Sequence, residues 1–237
     1  MPLNTMRHLE VFDPYAFGEQ RVDIIGCGAT GSRVAISLAK LGIKNLHCWD
    51  FDKIEGHNVP NQAFGIDDIG KPKVEALKEM IRRQTEIEIT AHNEAYEGQQ
   101  DLGSFVFLLT DTMKSRKEIW DASIKYHPYL KLMIETRMGA DQARVFAIDP
   151  NSPEQVKFWE GYLYGDEQAT VSACGTQITV GPTAEILAGY ATWTLIQWWA
   201  HKQGKEGKEA PQWDVLVAMS PAFTVLLPRT FLKKAAG

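Results

Sequence analysis

Short runs of β-branched and apolar residues alternate along this chain with longer segments whose apolar positions recur every three to four residues. The run RVDIIGCG (21–28) predicts a strand closed by glycine. In ATGSRVAISLAKLG (29–42), Val34, Leu38, Ala39 and Leu41 share one side and Gly42 is placed as the stop of a helix. NLHCWDFD (45–52) predicts a second strand. KPKVEALKEMIRRQ (71–84) predicts a helix, with Pro72 near its first turn and Val74, Leu77 and Ile81 at helical spacing. EIEITAHNEA (86–95) alternates as a strand, and GSFVFLLTDT (103–112) is an almost wholly apolar one, as expected where helices cover both faces of a sheet. KSRKEIWDASIKYH (114–127) predicts another helix, and YLKLMIETRMGADQARVFAID (129–149) two strands joined through Gly139. This order predicts an α/β fold: a doubly wound, mostly parallel, Rossmann-like sheet with right-handed crossovers.

From about 150 to 180 the pattern dissolves into polar, irregular sequence and predicts a long crossover loop. GPTAEILAGYATWTLIQWWAHKQG (181–204) then predicts a helix opened by Pro182. Its apolar residues run nearly all the way round, so it belongs in the core or against a partner. After a polar turn, WDVLVAMS and FTVLLPRTF predict two closing antiparallel strands. With no internal repeat or low-complexity tract, residues 1–237 predict one domain. A nucleotide half spans 20–145, the crossover 150–180, and the final helix and strands 181–237.

A length of 237 residues suits one domain with a real core. The net charge of -5 argues against a nucleic-acid partner. The longest apolar run, ILAGYATWTLIQWWA, is about fifteen residues against the roughly twenty of a membrane span, which argues against a membrane protein. The first residues carry no apolar signal core. The three cysteines, Cys27, Cys48 and Cys174, are widely spaced with no C-x-x-C pair, so no zinc site is expected and reduced thiols in a cytoplasmic protein are.

Candidate chemistry starts at IIGCGATGS, where Gly26, Gly28 and Gly31 follow a strand and open a helix in G-x-G-x-x-G spacing. Glycines there allow a tight turn and close backbone approach to phosphate, with helix N-terminal amides favouring the anion. Asp50 ends the second strand, where a carboxylate suits ribose hydroxyls. NAD and ATP both satisfy these features. EGHNVPNQAFGIDDIGKPKVEAL (55–77) separates them. A dehydrogenase has no use for amides and ammonium groups just past Asp50, whereas an enzyme that expels pyrophosphate from ATP must hold and neutralise a triphosphate. Asn58 and Gln62 can donate to phosphate oxygens, Lys73 can place a cation there, and Asp111 in LLTDT can hold magnesium at the carboxyl edge of the sheet.

The ordered series G-x-G-x-x-G-S, D-F-D, N-x-x-x-Q, D-I-G-K-P-K and T-D resembles the E1-like adenylyltransferases of the ThiF, MoeB and HesA type. The resemblance extends from about 20 to 145 and more weakly to about 200. It implies an ATP- and magnesium-dependent homodimer that adenylylates the C-terminal carboxylate of a small ubiquitin-like or sulfur-carrier protein, or of a peptide. Carried over, Asp50 (in D-F-D with Asp52) is the ribose carboxylate, Asn58, Gln62 and Lys73 serve the phosphates, and Asp111 is the magnesium carboxylate. Cys174 stands where some relatives carry an acyl- or sulfur-accepting cysteine; its alternative is a small packing residue. Arg137 matches an arginine of relatives, with a role near the bound carboxyl terminus.

The sequence departs from the pattern at Asn61, where N-x-x-R-Q carries arginine. Arg33 and Arg7 are candidates for the missing cation, and KSRKE after Asp111 reads as a solvated first turn from which Lys114 or Arg116 could reach phosphate. The loss favours one alternative, a non-catalytic nucleotide-binding relative that partners an active subunit. A further alternative is an NAD-dependent oxidoreductase, which calls for a Tyr-x-x-x-Lys or histidine base that the sequence does not display. The six histidines lie singly along the chain, which predicts solvated or core roles, and Cys27 and Cys48 read as packing residues.

Overall fold

Fourteen regular elements, laid out in a computed structural model that describes residues 3–166, 180–221 and 223–226, follow the predicted alternation closely. They are α1 (Pro14–Phe17), β1 (Val22–Ile25), α2 (Ala29–Lys40), β2 (Leu46–Trp49), α3 (Lys73–Thr85), β3 (Thr90–His92), β4 (Phe105–Leu108), α4 (Met113–Ile119), β5 (Leu132–Met138), β6 (Gln142–Ile148), α5 (Pro153–Glu160), α6 (Gly181–Lys202), β7 (Asp214–Ala218) and β8 (Thr224–Leu226). The strands form one sheet in the order β3-β2-β1-β4-β5-β6-β7-β8. The first five run parallel and β6, β7 and β8 are antiparallel. The strand order reverses between β1 and β4, which creates the crevice where ligands bind in such sheets.

Each apolar strand divides its side chains between two cores, which explains why the sequence reads as continuous rather than alternating. Phe105 and Phe107 of β4 join the core built with α2, α3 and α6; Val106 and Leu108 join the one built with α4 and α5. The α2 stop is a Schellman turn: Gly42 at φ 92 sends its N–H to Ala39, and the N–H of Ile43 reaches back to Leu38. α6 is buried along most of its length, yet Trp193 is 51% and Ile186 37% exposed.

Two expectations need correction. The crossover is not irregular throughout, because Pro153 starts α5 and Val156 and Trp159 bury one face of it against the sheet. The long strand expected over 86–95 shrinks to Thr90–His92, an edge strand held on one side only. No described helix is long and apolar enough to cross a membrane.

Candidate functional site

The glycine turn sits at the carboxyl end of β1, beside the strand-order reversal. Gly26 has φ 94, and a Cβ there would stand 2.6 Å from the Leu109 carbonyl oxygen and 3.0 Å from the Thr110 nitrogen. A Cβ on Gly31 would lie 1.9 Å from the Gly26 carbonyl oxygen, an overlap no relaxation removes. Both positions therefore demand glycine. The same packing brings residues 109–110, and hence the exposed Asp111 that follows them, against the turn.

Asp50 is buried next to this turn. Its Oδ2 accepts from the Cys27 N–H at 2.7 Å and its Oδ1 from the Asp52 N–H at 2.9 Å. Burial pushes its carboxyl above the ordinary range, against the pull of the Lys73 ammonium and these two backbone donors. Lys73 is 6% exposed, its Nζ lying 2.6 Å from Asp52 and 3.9 Å from Asp50. An ammonium has three donors, so capacity remains for an incoming anion. Its backbone N–H bonds to the Asp52 carbonyl, which closes residues 53–72 into a loop whose ends touch.

Within that loop, buried Ile54 and Phe64 act as anchors and short 3₁₀ turns cover 56–58 and 66–68. Asn58 is buried, and its Oδ1 accepts from the Glu55 N–H at 2.9 Å, so only its amide nitrogen is left for a ligand. The Gln62 Nε2 lies 4.0 Å from the position of a Gly28 Cβ, and its Oε1 is buried without a hydrogen-bond partner among the described residues. A buried unpaired amide end costs roughly 1–3 kcal/mol and is a place where a ligand group belongs.

Other expected residues serve elsewhere. Arg33 gives Nη1 to the carbonyls of Ala29 and Asn61, so it is no free phosphate cation, and Arg7 is exposed on the 3₁₀ turn 6–8. Arg116 is not a solvated residue. It is 7% exposed, donates through Nε to the Thr110 carbonyl at 2.9 Å and pairs with the fully buried Glu135. Arg137 donates through Nε to the same Glu135 at 2.9 Å and through Nη1 to the Tyr162 carbonyl at 2.6 Å, while its Nη2 is buried without a partner among the described residues. His47 and His92, far apart in sequence, meet at 3.0 Å between Nδ1 and Nε2, against the expectation of single histidines. Cys174 lies outside the described residues. Cys27 and Cys48 are buried, and their mutual hydrogen bond, then burial, raises the Cys27 thiol well above its usual value, which suits packing.

Three supports escaped the sequence reading. Ser32 accepts the Ala63 N–H at 3.2 Å and donates to the Gly28 carbonyl at 2.7 Å, tying loop to helix. Asp166 accepts the Met113 and Lys114 N–H groups at 2.5 and 3.2 Å, which brings the crossover beside Asp111. Glu135 balances Arg116 and Arg137; a lone glutamate inside the apolar run LMIET was its available signal. Among the described residues no three His, Cys, Asp or Glu side chains gather as a metal site. A single carboxylate would suit magnesium only where phosphate oxygens complete its shell.

The sequence matches the ThiF family over residues 14–224. The chain belongs to the ThiF family. It is 34% identical over 105 residues to the NEDD8-activating enzyme E1 catalytic subunit of Arabidopsis thaliana, a stretch covering 42% of this chain and 23% of that protein. It is 35% identical over 69 residues to the molybdopterin-synthase adenylyltransferase of Escherichia coli, covering 29% and 28%. The crystal structure of E. coli MccB with ATP superposes with a TM-score of 0.65 at 17% identity, over 90% of this chain and 64% of that one. This ThiF-family chain thus spans less than a third of these two curated relatives and under two thirds of MccB, with which it shares the fold.

Proposed function

We propose that this ThiF-family protein is an adenylyltransferase that activates a carboxylate with ATP and releases pyrophosphate. The observation that carries the proposal is the convergence of Asp50, Lys73 and Gln62 on one glycine turn, with the Gln62 amide nitrogen, a donor, 4.0 Å from the position of a Gly28 Cβ. The glycine turn and the first N–H groups of α2 receive phosphate, and Asp50 accepts ribose hydroxyls. Asn58 and Gln62 donate to phosphate oxygens, while Lys73 offsets the charge that grows as pyrophosphate departs. A carboxylate oxygen of the acyl substrate attacks the α-phosphorus, and the bond from that phosphorus to the bridging oxygen breaks. Asp111 is the residue to hold magnesium, which would neutralise phosphate charge when bound.

Of the relatives, one is a molybdopterin-synthase adenylyltransferase and another a NEDD8-activating enzyme subunit, and one MccB structure is a complex with N-formylated MccA. By that likeness the acyl substrate is the carboxyl terminus of a small ubiquitin-like or sulfur-carrier protein, or of a peptide, and the enzyme is a homodimer, checked by its mass in solution. The identity of Cys174 as acyl acceptor belongs to the same proposal. Carboxylate-dependent exchange of labelled pyrophosphate into ATP tests it. The native protein is expected to exchange when offered such carriers or peptides, and Asp111→Asn to lose at least about a hundredfold. Nucleotide binding with no exchange for any carboxylate would leave the non-catalytic partner subunit, the reading favoured by Asn61.

A further inference from the structure

Arg33 stands where three parts of the chain meet. Its side chain is 15% exposed. Nη1 donates to the Ala29 carbonyl within α2 at 3.0 Å and to the Asn61 carbonyl at 2.6 Å, while Nη2 lies 3.4 Å from Glu185 Oε1 in the first turns of α6. A separate observation records the same junction from the opposite side. A Cβ on Gly181 would lie 2.8 Å from the Pro60 carbonyl oxygen and 3.9 Å from both Asn61 Cα and Arg33 Nη2. The 58–62 turn is thus pinched between α2 and the start of α6, with Ser32 fastening its far end through Ala63.

We propose that Arg33 is a positioning residue of the nucleotide site: it sets the 58–62 turn, and with it Asn58 and Gln62, over the glycine turn, and joins that turn to the first turns of α6. The inference rests on the ATP reading above. The contact at position 61 is to the backbone carbonyl, so the guanidinium sits behind the turn and holds its main chain. Only a planar fork reaches two carbonyls and a carboxylate together; a lysine ammonium on a single stem does not. With both Nη1 hydrogens on carbonyls, a direct contact of Arg33 with phosphate would fall to Nη2 or Nε instead.

The test compares ATP with adenosine, measured by calorimetry or by competition against a fluorescent ATP analogue. Asn58 and Gln62 act on the phosphate side and Asp50 on the ribose, so a misplaced turn weakens ATP selectively. Arg33→Gln is expected to raise the Kd for ATP about tenfold or more while adenosine stays within about twofold. Arg33→Lys should fall between native and glutamine. Gly181→Ala, which pushes the Pro60 carbonyl without removing any charge, should also weaken ATP selectively, and it carries the test if Arg33→Gln fails to fold. Equal losses for ATP and adenosine would mean general loosening and overturn the proposal. Loss in Arg33→Gln with native affinity in Gly181→Ala would mean direct phosphate contact, which overturns it too. A native protein that binds neither compound overturns the underlying ATP reading, an outcome distinct from both.

Discussion

Two groups of buried charge lie under the carboxyl edge of the sheet, and they are built in opposite ways. Around β5, Glu135 is fully buried and accepts from Arg116, Arg137 and the Trp159 indole N–H, the last at 3.0 Å. Both of its oxygens are filled by the protein. Around β2, Asp50 and Lys73 lie 3.9 Å apart, and the partner closest to Lys73 is Asp52, itself half exposed. In the first group the carboxylate is filled from inside, and Arg116 also pins the Thr110 carbonyl just before Asp111, with Arg137 Nη2 left buried and without a partner among the described residues. The second keeps capacity facing the glycine turn. Buried charge alone therefore does not mark a binding site; what sets the second group apart is that it lies at the glycine turn and reaches solvent through Asp52, whereas Glu135 is sealed.

The largest expected effect breaks the inward group. Glu135→Ala leaves two buried guanidinium groups without their shared carboxylate, at a cost of about 3–5 kcal/mol. For a chain of this size that lowers Tm by about 10 °C or more, read by calorimetry. A Tm within about 2 °C of native would mean that the group is not a structural keystone. The contrast is sharpened by Lys73→Ala. Water can solvate Asp52 once the ammonium is gone, so Tm should move much less than in Glu135→Ala, whereas ATP affinity should drop at least about tenfold by titration. If Lys73→Ala instead melts as early as Glu135→Ala and keeps its ATP affinity, the two groups are alike and the distinction fails.

The outward group was legible in the sequence because its parts follow local rules. Gly26 and Gly31 must be glycine in a turn written within six residues, Asp50 ends a strand, and Lys73 opens a helix. The parallel strands were equally readable, since burial on both faces leaves uninterrupted apolar runs. The inward group was not legible, because Arg116, Glu135, Arg137 and Trp159 come from α4, β5 and α5, and no spacing announces their meeting. Arg116 was misread for that reason: KSRKE has the composition of a solvated turn, and only the position of β5 buries it. α5 was hidden by polar residues on its outer face, with Val156 and Trp159 too few to declare a period.

A third polar group tests the comparison at its weakest point, because it is neutral. His47 and His92 join the edge strand β3 to β2, and the Asp50 N–H bonds to the His92 carbonyl at 3.2 Å, so Asp50 leans on this edge. Burial, then the Arg21 guanidinium, lowers His47 to about 4, with Asp23 opposing and His92 adding to the shift; His92 is lowered as well, by burial first, with Glu94 and Asp23 opposing. The unfolded histidine titrates near 6.5. Between these values the unfolded chain binds a proton that the folded chain refuses, so this contribution to stability is complete above about pH 6.5 and is lost as pH falls toward 4. His47→Gln keeps a polar partner for His92 and removes that titration. Native and variant Tm values should therefore converge by a few degrees between pH 7 and pH 4.5, the native protein losing more. Parallel profiles would show that His47 is solvated in the folded chain, and that the strand beside Asp50 is held by its backbone pairing alone.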